Sequence, residues 1–334
     1  MKKAEIEIKI ITPMFSYGNR DKKLSKEKEN VEFRITELKS LIRSTFRELG
    51  CFKDLQSMKV EEGKTFGTIL KIPEVDSRGI KSPISFRIKE IKIDEISEYM
   101  LPHKTEEKDR SKRPCVKEES IVKLLMTCKD NIDMYFYIKL LIQASILGGL
   151  GGRSRKGFGS FTVTDVKCEK EAYNLLEKST LEILLQLNNE DIFEFNAVKG
   201  KLKRKGEGLK YPYIKAIQVI PFNDGSNYKV LLKEISQLTH DRLKDDFGFY
   251  ADKKIRERDT VKSYKGENQR FAFPVCVSFS EYAREKCMVI KELNYDYIMK
   301  SLDKTQKENV RVYNEKYVQA YIEKLIEIVK GKTK

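Results

Sequence analysis

Apolar residues alternate at Ala4, Ile6, Ile8 and Ile10, the period of a strand with one buried face, and the pattern stops at Thr12, Pro13 and Gly18. A polar, lysine-rich loop over 19–30 follows. The period then lengthens, because Ile35, Leu38, Leu41, Ile42, Phe46 and Leu49 recur at helical spacing and predict a helix over 34–49, ended by Gly50. On its other side Lys39, Arg43 and Arg47 fall four residues apart, which places them in one basic stripe. Residues 50–83 hold no sustained period and read as an irregular insertion with one short strand. Alternation returns at Ile84, Phe86 and Ile88 and again over 119–128, predicting a hairpin whose long tip is the charged stretch 103–114. Asp130, Asn131 and Asp133 are good helix-start residues, and the apolar run from Ile132 to Leu147 predicts a mostly buried helix stopped by Gly148. Phe161 and Val163 alternate with threonines in a closing strand. The order β-α-β-β-α-β is the split, ferredoxin-like motif that RNA-recognition domains also use.

Beyond Lys167 the same kinds of element return. The pattern predicts a helix around 172–187, strands near 192–198 and 213–220, a helical stretch over 230–243 and a strand over 271–279. In that strand Phe271, Phe273, Val275, Val277 and Phe279 share a face, and a long amphipathic helix over 304–330 closes the chain. The expected fold class is therefore α+β: two ferredoxin-like domains, 1–167 and 168–334, with insertions and a C-terminal helical extension. A length of 334 residues suits two domains of about 150.

The longest apolar stretch, 135–150, is shorter than the ~20 residues of a membrane span and carries Lys139. The first residues, MKKAEIEIKI, scatter charge where a secretory signal needs an apolar core. A cytoplasmic protein without membrane contact is the expectation. The six cysteines form no C-x-x-C pair and have no histidine at ligand spacing, so free thiols, no structural metal and no cofactor are expected.

Charge then changes the picture. Sixty-six Lys and Arg against 51 Asp and Glu leave a net +15, which suggests a polyanionic partner. The excess is concentrated: no acid occurs from Met134 to Thr164, while Lys139, Arg153, Arg155 and Lys156 do, and residues 199–215 hold seven bases against Glu207 alone. Two positive patches able to attract a phosphate backbone are predicted.

Residues 148–159 read GGLGGRSRKGFG, with six of the 18 glycines, between a buried helix and a strand. Glycines let backbone N–H groups approach phosphate oxygens closely, while Arg153, Arg155 and Lys156 supply charge. A Walker A loop requires a glycine series leading through Lys-Ser or Lys-Thr into a helix, and a dinucleotide fingerprint lies between a strand and its following helix; this segment leads into a strand. A mere connector accounts for the glycines and leaves the cations unexplained.

Several motifs together resemble the RAMP superfamily of CRISPR-associated RNA-binding proteins: Thr12-Pro13-Met14-Phe15 closing the first strand, Ile42-Arg43 and Phe46-Arg47 on the helix, Phe66-Gly67, the glycine loop, and Arg270-Phe271-Ala272-Phe273. Within it the Thr-Pro-Met-Phe turn is similar to that of subunits of type III-B (Cmr) effector complexes. Tyr17-Gly18 and Ser44-Thr45-Phe46 depart from that pattern, which has a Gly-Gly and tryptophans there. The resemblance implies two ferredoxin-like domains and a binding role, without catalysis, in a guide-RNA-directed complex. Its implied partners are single-stranded guide RNA, target RNA or both, together with other Cmr subunits. The expected RNA contacts are Gly151, Gly152, Arg153, Ser154, Arg155, Lys156, Gly157, Phe158 and Gly159, with Arg43, Arg47, Thr12 and Met14. Phe158 is expected either to stack on a base or to fill the core. Lys201, Lys203 and Arg204, with Tyr211, form an expected second surface for RNA or a neighbouring subunit.

The competing expectation is an endoribonuclease of the same superfamily that processes guide precursors, in which an early histidine commonly serves as general acid and base. This chain has only His103 and His240, one in a charged loop and one in a helical segment, and both read as surface or packing residues. Asp241, Asp245 and Asp246 read as a solvated helix face rather than a metal site.

Overall fold

The structure, a computed structural model, describes residues 1–18, 31–69, 79–104, 112–168, 174–188, 190–206, 211–222, 227–241, 260–262, 268–270, 274–294 and 315–331. Strand β1 (Lys2–Ile10) buries Ala4, Ile6, Ile8 and Ile10, as its alternation requires. Helix α1 (Ile35–Leu49) follows with Leu38 and Ile42 inward. The stretch read as irregular contains helix α2 (Leu55–Phe66), started by a capping box in which Asp54 accepts from the Ser57 amide and Ser57 returns the bond. Next come β2 (Ile84–Lys92) and an inserted hairpin of β3 (Glu95–Tyr99) and β4 (Lys112–Val116), then β5 (Ile121–Cys128), α3 (Met134–Leu147) and β6 (Phe161–Cys168). Strands β2-β5-β1-β6 pair in that order, antiparallel throughout, which is ferredoxin-like topology.

The second unit begins with α4 (Thr180–Leu187), β7 (Phe193–Asn196), β8 (Lys201–Arg204), β9 (Tyr213–Phe222) and α5 (Tyr228–Asp241). After the small β10 (Thr260–Lys262) and β11 (Asn268–Arg270) come β12 (Val275–Tyr282), β13 (Glu285–Asn294) and α6 (Glu315–Lys330). The expected strand residues Phe271 and Phe273, residues 304–314 of the expected long helix, and Asp245 and Asp246 lie outside the described residues. Sheet order is β12-β13-β9-β8-β7. Strands β9, β12 and β13 with helices α5 and α6 reproduce the β-α-β-β-α course of the first unit. The place beside β9 that a fourth strand would fill is taken by β8, which enters from the N-terminal side.

Layering explains the burial pattern. One face of the second sheet packs on α1 and α3 of the first unit, and a single apolar cluster runs from Ile6 and Leu141 across to Val289 and Leu293. The other face carries Val277, Phe279, Met288 and Ile290 against Leu231, Ile235, Tyr321 and Leu325 of α5 and α6. Helix α3 is therefore apolar nearly all round because it lies between two sheets, and β12 and β13 are buried on both faces. Small hydroxyls stitch the seam: Ser278 donates to the Ile146 carbonyl at 2.6 Å, Thr162 to the Glu281 carbonyl at 2.8 Å, and the Val163 amide to the Tyr282 hydroxyl at 3.1 Å.

Candidate nucleic-acid interface

The glycine loop sits at this seam. Its amides bond to the turn that ends β1: Gly152 N–H donates to the Phe15 carbonyl at 2.8 Å and Gly159 N–H to the Pro13 carbonyl at 2.9 Å. Two glycines are required sterically. Gly159, at φ +64°, would place a Cβ 1.9 Å from the Leu150 carbonyl oxygen, and Gly151, at φ +76°, would place one 2.5 Å from that of Phe15. The Thr-Pro-Met-Phe turn and the glycines thus form one packing unit.

The loop's cations reach inward as well as outward. Arg153, itself at φ +59°, donates through a terminal nitrogen to the Met100 carbonyl at 2.6 Å, and burial pushes its pKa down. Arg155 donates through Nε to the Cys276 sulfur at 3.1 Å, while its carbonyl receives the Val277 amide at 3.0 Å. Lys156 Nζ lies 3.4 Å from the Tyr321 hydroxyl and 5.2 Å from the ring centroid. Residues Gly151 to Lys156, Ser154 included, remain half-buried, so the tip still meets solvent.

Several expected contact residues prove to be internal. Thr12 is fully buried, accepting from the Ser160 amide at 2.9 Å and donating to the Gly157 carbonyl at 2.7 Å. Met14 is buried in the core of the first unit. Gly157 and Gly159 are buried, and Phe158 packs on Phe15 with ring centroids 5.3 Å apart, which decides for its core role. Arg204 is also internal. It donates to the carbonyls of Glu48 (3.0 Å), Leu49 (2.9 Å) and Ile214 (2.9 Å), and its guanidinium lies about 5 Å from the rings of Phe193 and Tyr213. It satisfies carbonyls at the C-terminus of α1, where a cation also complements the helix dipole, and burial pushes its pKa down. Tyr211 is fully buried, accepting from the Phe52 amide.

Arg43 and Arg47 do share a face, but Glu62 of α2 binds both, at 2.9 and 2.7 Å. The two arginines share one carboxylate, on a helix the periodicity did not disclose, so half of their charge is neutralised. Lys201 and Lys203 differ: they lie on β8, on the face away from the first unit, and with Lys199 they line an open cleft of about 480 Å³. None of the three forms an ion pair with a described residue.

Two further features bear on mechanism. His103 and His240, each read as a surface or packing residue, stack with centroids 4.5 Å apart, and His103 Nδ1 lies 2.7 Å from the Ser236 hydroxyl. The open face of the first sheet carries Lys3, Glu5, Glu7, Lys9 and Lys123 rather than the exposed aromatic rings of RNA-recognition domains. Ion pairs cross it; Glu90, bonded by Lys123 and Lys92, has its pKa lowered to about 2. Among the described residues no three His, Cys, Asp or Glu side chains converge as a metal site, and no helix is long and apolar enough to cross a membrane.

Residues 7–162, the first unit with its ferredoxin-like sheet and glycine loop, match the family model of the RAMP superfamily. The chain as a whole resembles Cmr1. The crystal structure of Cmr1 from Pyrococcus furiosus (apo form) superposes with a TM-score of 0.53 at 15% identity, over 100% of this chain and 97% of that one. A chain of the cryo-EM structure of the type III-B Cmr-beta bound to cognate target RNA gives 0.57 at 14% identity, over 98% of this chain and 99% of that one. At such identities the likeness speaks for the fold. No curated protein matches by sequence.

Proposed function

We propose that this chain is a non-catalytic RNA-binding subunit of a type III-B CRISPR effector, holding single-stranded guide RNA, target RNA or both near the head of the assembly. The observation that carries this reading is the end-to-end correspondence of both units with Cmr1, in a chain whose first unit matches the RAMP superfamily. The net charge of +15 and the half-exposed cationic loop suit a phosphate backbone. The protein would grip that backbone while guide pairing reads sequence. The test is titration of purified protein with single-stranded RNA across salt concentrations. A linear fall of log affinity with log salt is expected. No binding at low salt would end the proposal.

A second reading, metal-independent cleavage of guide precursors, is favoured by one observation, the convergence of the only two histidines. Against it, the rings stack face to face, 22° from parallel, and the Ser236 hydroxyl bonded to His103 Nδ1 at 2.7 Å is itself buried on α5. Incubation with repeat-containing RNA in a chelator should leave it intact. Cleavage abolished by His103→Ala or His240→Ala would reverse the assignment.

A further inference from the structure

The second sheet is unevenly covered. Helices α5 and α6 lie over β12, β13 and β9, but the outer face of β8 and β7 is open. Here the chain turns tightly: the Asn196 side chain accepts from the Lys199 amide at 3.1 Å, and Gly200 sits in the left-handed region at φ +56°. That turn throws Lys199 to the rim and starts β8 so that Lys201 and Lys203 face the same side. Residues two apart on a strand are about 6.8 Å apart. In register, Lys201 pairs with Asn196, and Lys203 with Glu194. Deeper in the cleft Lys215 is held by the buried Glu292 at 3.4 Å, and Gln319 of α6 also binds Glu292.

Charge and shape point the same way. The cleft's four lysines face Glu194 and Glu292, so two positive charges are uncompensated, and Lys199, Lys201 and Lys203 have no described carboxylate to hold them. Phe195, on the free edge strand β7, is 40% exposed; it pairs with Leu202, so its ring leaves the sheet on the face opposite Lys201 and Lys203 and meets the cleft only around the free edge. A row of cations along an open strand can track a single-stranded backbone, and a ring reached around the free edge can take one base that turns over that edge.

We propose that the Lys199-Lys201-Lys203 cleft is a second single-stranded RNA site, independent of the glycine loop, with Phe195 stacking a base at its edge. This rests on the reading of the chain as an RNA-binding subunit. The loop is tied to β12 through Val277, and β8 lies three strand spacings away, about 14 Å. At that separation the two sites contribute additively.

The test uses the full chain and a fluorescent oligouridylate 20-mer, with affinity measured from low to physiological salt. Replacing Lys199, Lys201 and Lys203 by Ala should flatten the log-log salt slope by about 2, at ~0.7 per lost phosphate contact, and Lys201→Gln with Lys203→Gln by about 1.4. Phe195→Ala should weaken binding about tenfold with the slope unchanged. A lysine-to-arginine triple variant should keep the wild-type slope. If wild type binds and the folded alanine and glutamine variants keep its slope, the cleft is not an RNA site and serves another partner. If wild type itself fails to bind, the functional reading falls, and this inference with it.

Discussion

Replacing Arg204 by alanine distinguishes a structural cation from a ligand-binding one within a single basic run. Its guanidinium makes three hydrogen bonds to carbonyls, at 2.9, 2.9 and 3.0 Å, two of them at the end of α1 in the other unit. Bonds to charged groups contribute about 1.5–3 kcal/mol each, so even the lower bound sums to roughly 4–5 kcal/mol. Burying the charge, whose cost shows in the lowered pKa of Arg204, offsets part of this and leaves about 3 kcal/mol. For a unit of this size that corresponds to roughly 6–12 °C in Tm. Arg204→Lys should recover little, because an ammonium lacks the planar fork that reaches carbonyls of two units. Lys203→Ala, at an exposed position, should stay within about 0.5 kcal/mol of wild type. Thermal melts and RNA titrations on the same samples make the comparison. If Arg204→Ala melts within about 2 °C of wild type yet flattens the salt slope, Arg204 is a ligand contact and its assigned structural role is wrong.

Lys291→Ala should cost about 3–5 kcal/mol in urea unfolding: burial opposes the lysine's charge, but Glu48 at 2.6 Å outweighs it and holds the pKa up, so truncation strands a carboxylate. The double variant Lys291→Met/Glu48→Met should regain most of that, and equal losses in single and double variants would deny the pair. Gly159→Ala should abolish soluble protein, since the clash with Leu150 adds to the ~1–2 kcal/mol of left-handed strain; a stable variant would show that the loop packs otherwise. Alkylation should modify the exposed Cys51 first and spare Cys115, whose thiol burial raises to about 12. The sign follows: above about 9 an unfolded thiol ionises while the folded one keeps its proton, so this group costs stability as pH rises from about 9 to about 12. Early labelling of Cys115 in native protein would contradict its burial.

The periodic elements were legible because each has one wet and one dry face. Strand β1 alternates cleanly, and α1 shows an apolar stripe, so both could be placed from spacing alone. Helix α2 escaped because its buried residues are only Met58, Gly63 and Phe66, with a glycine inside, although the Asp54 cap was a local signal. Strand β13 escaped because burial on both faces removes alternation, and its Lys291 and Glu292 are buried among partners that only the fold supplies. Strand β8 gives no periodic signal since Lys-Leu-Lys-Arg is polar by composition; yet Leu202 and Arg204 face the first unit, and only the two lysines face out.

Local order in the chain was enough to determine a ferredoxin-like first unit, a sterically demanding glycine loop and a polyanion-seeking charge, because those properties depend on neighbours within a few residues. Tertiary structure decided which cations are available. Arg43 and Arg47 meet Glu62, Arg204 meets the end of α1, and Lys199, Lys201 and Lys203 form no ion pair with a described residue. A charge seeks its partner through space, and between Arg204 and Glu48 that space is crossed by 156 residues of chain.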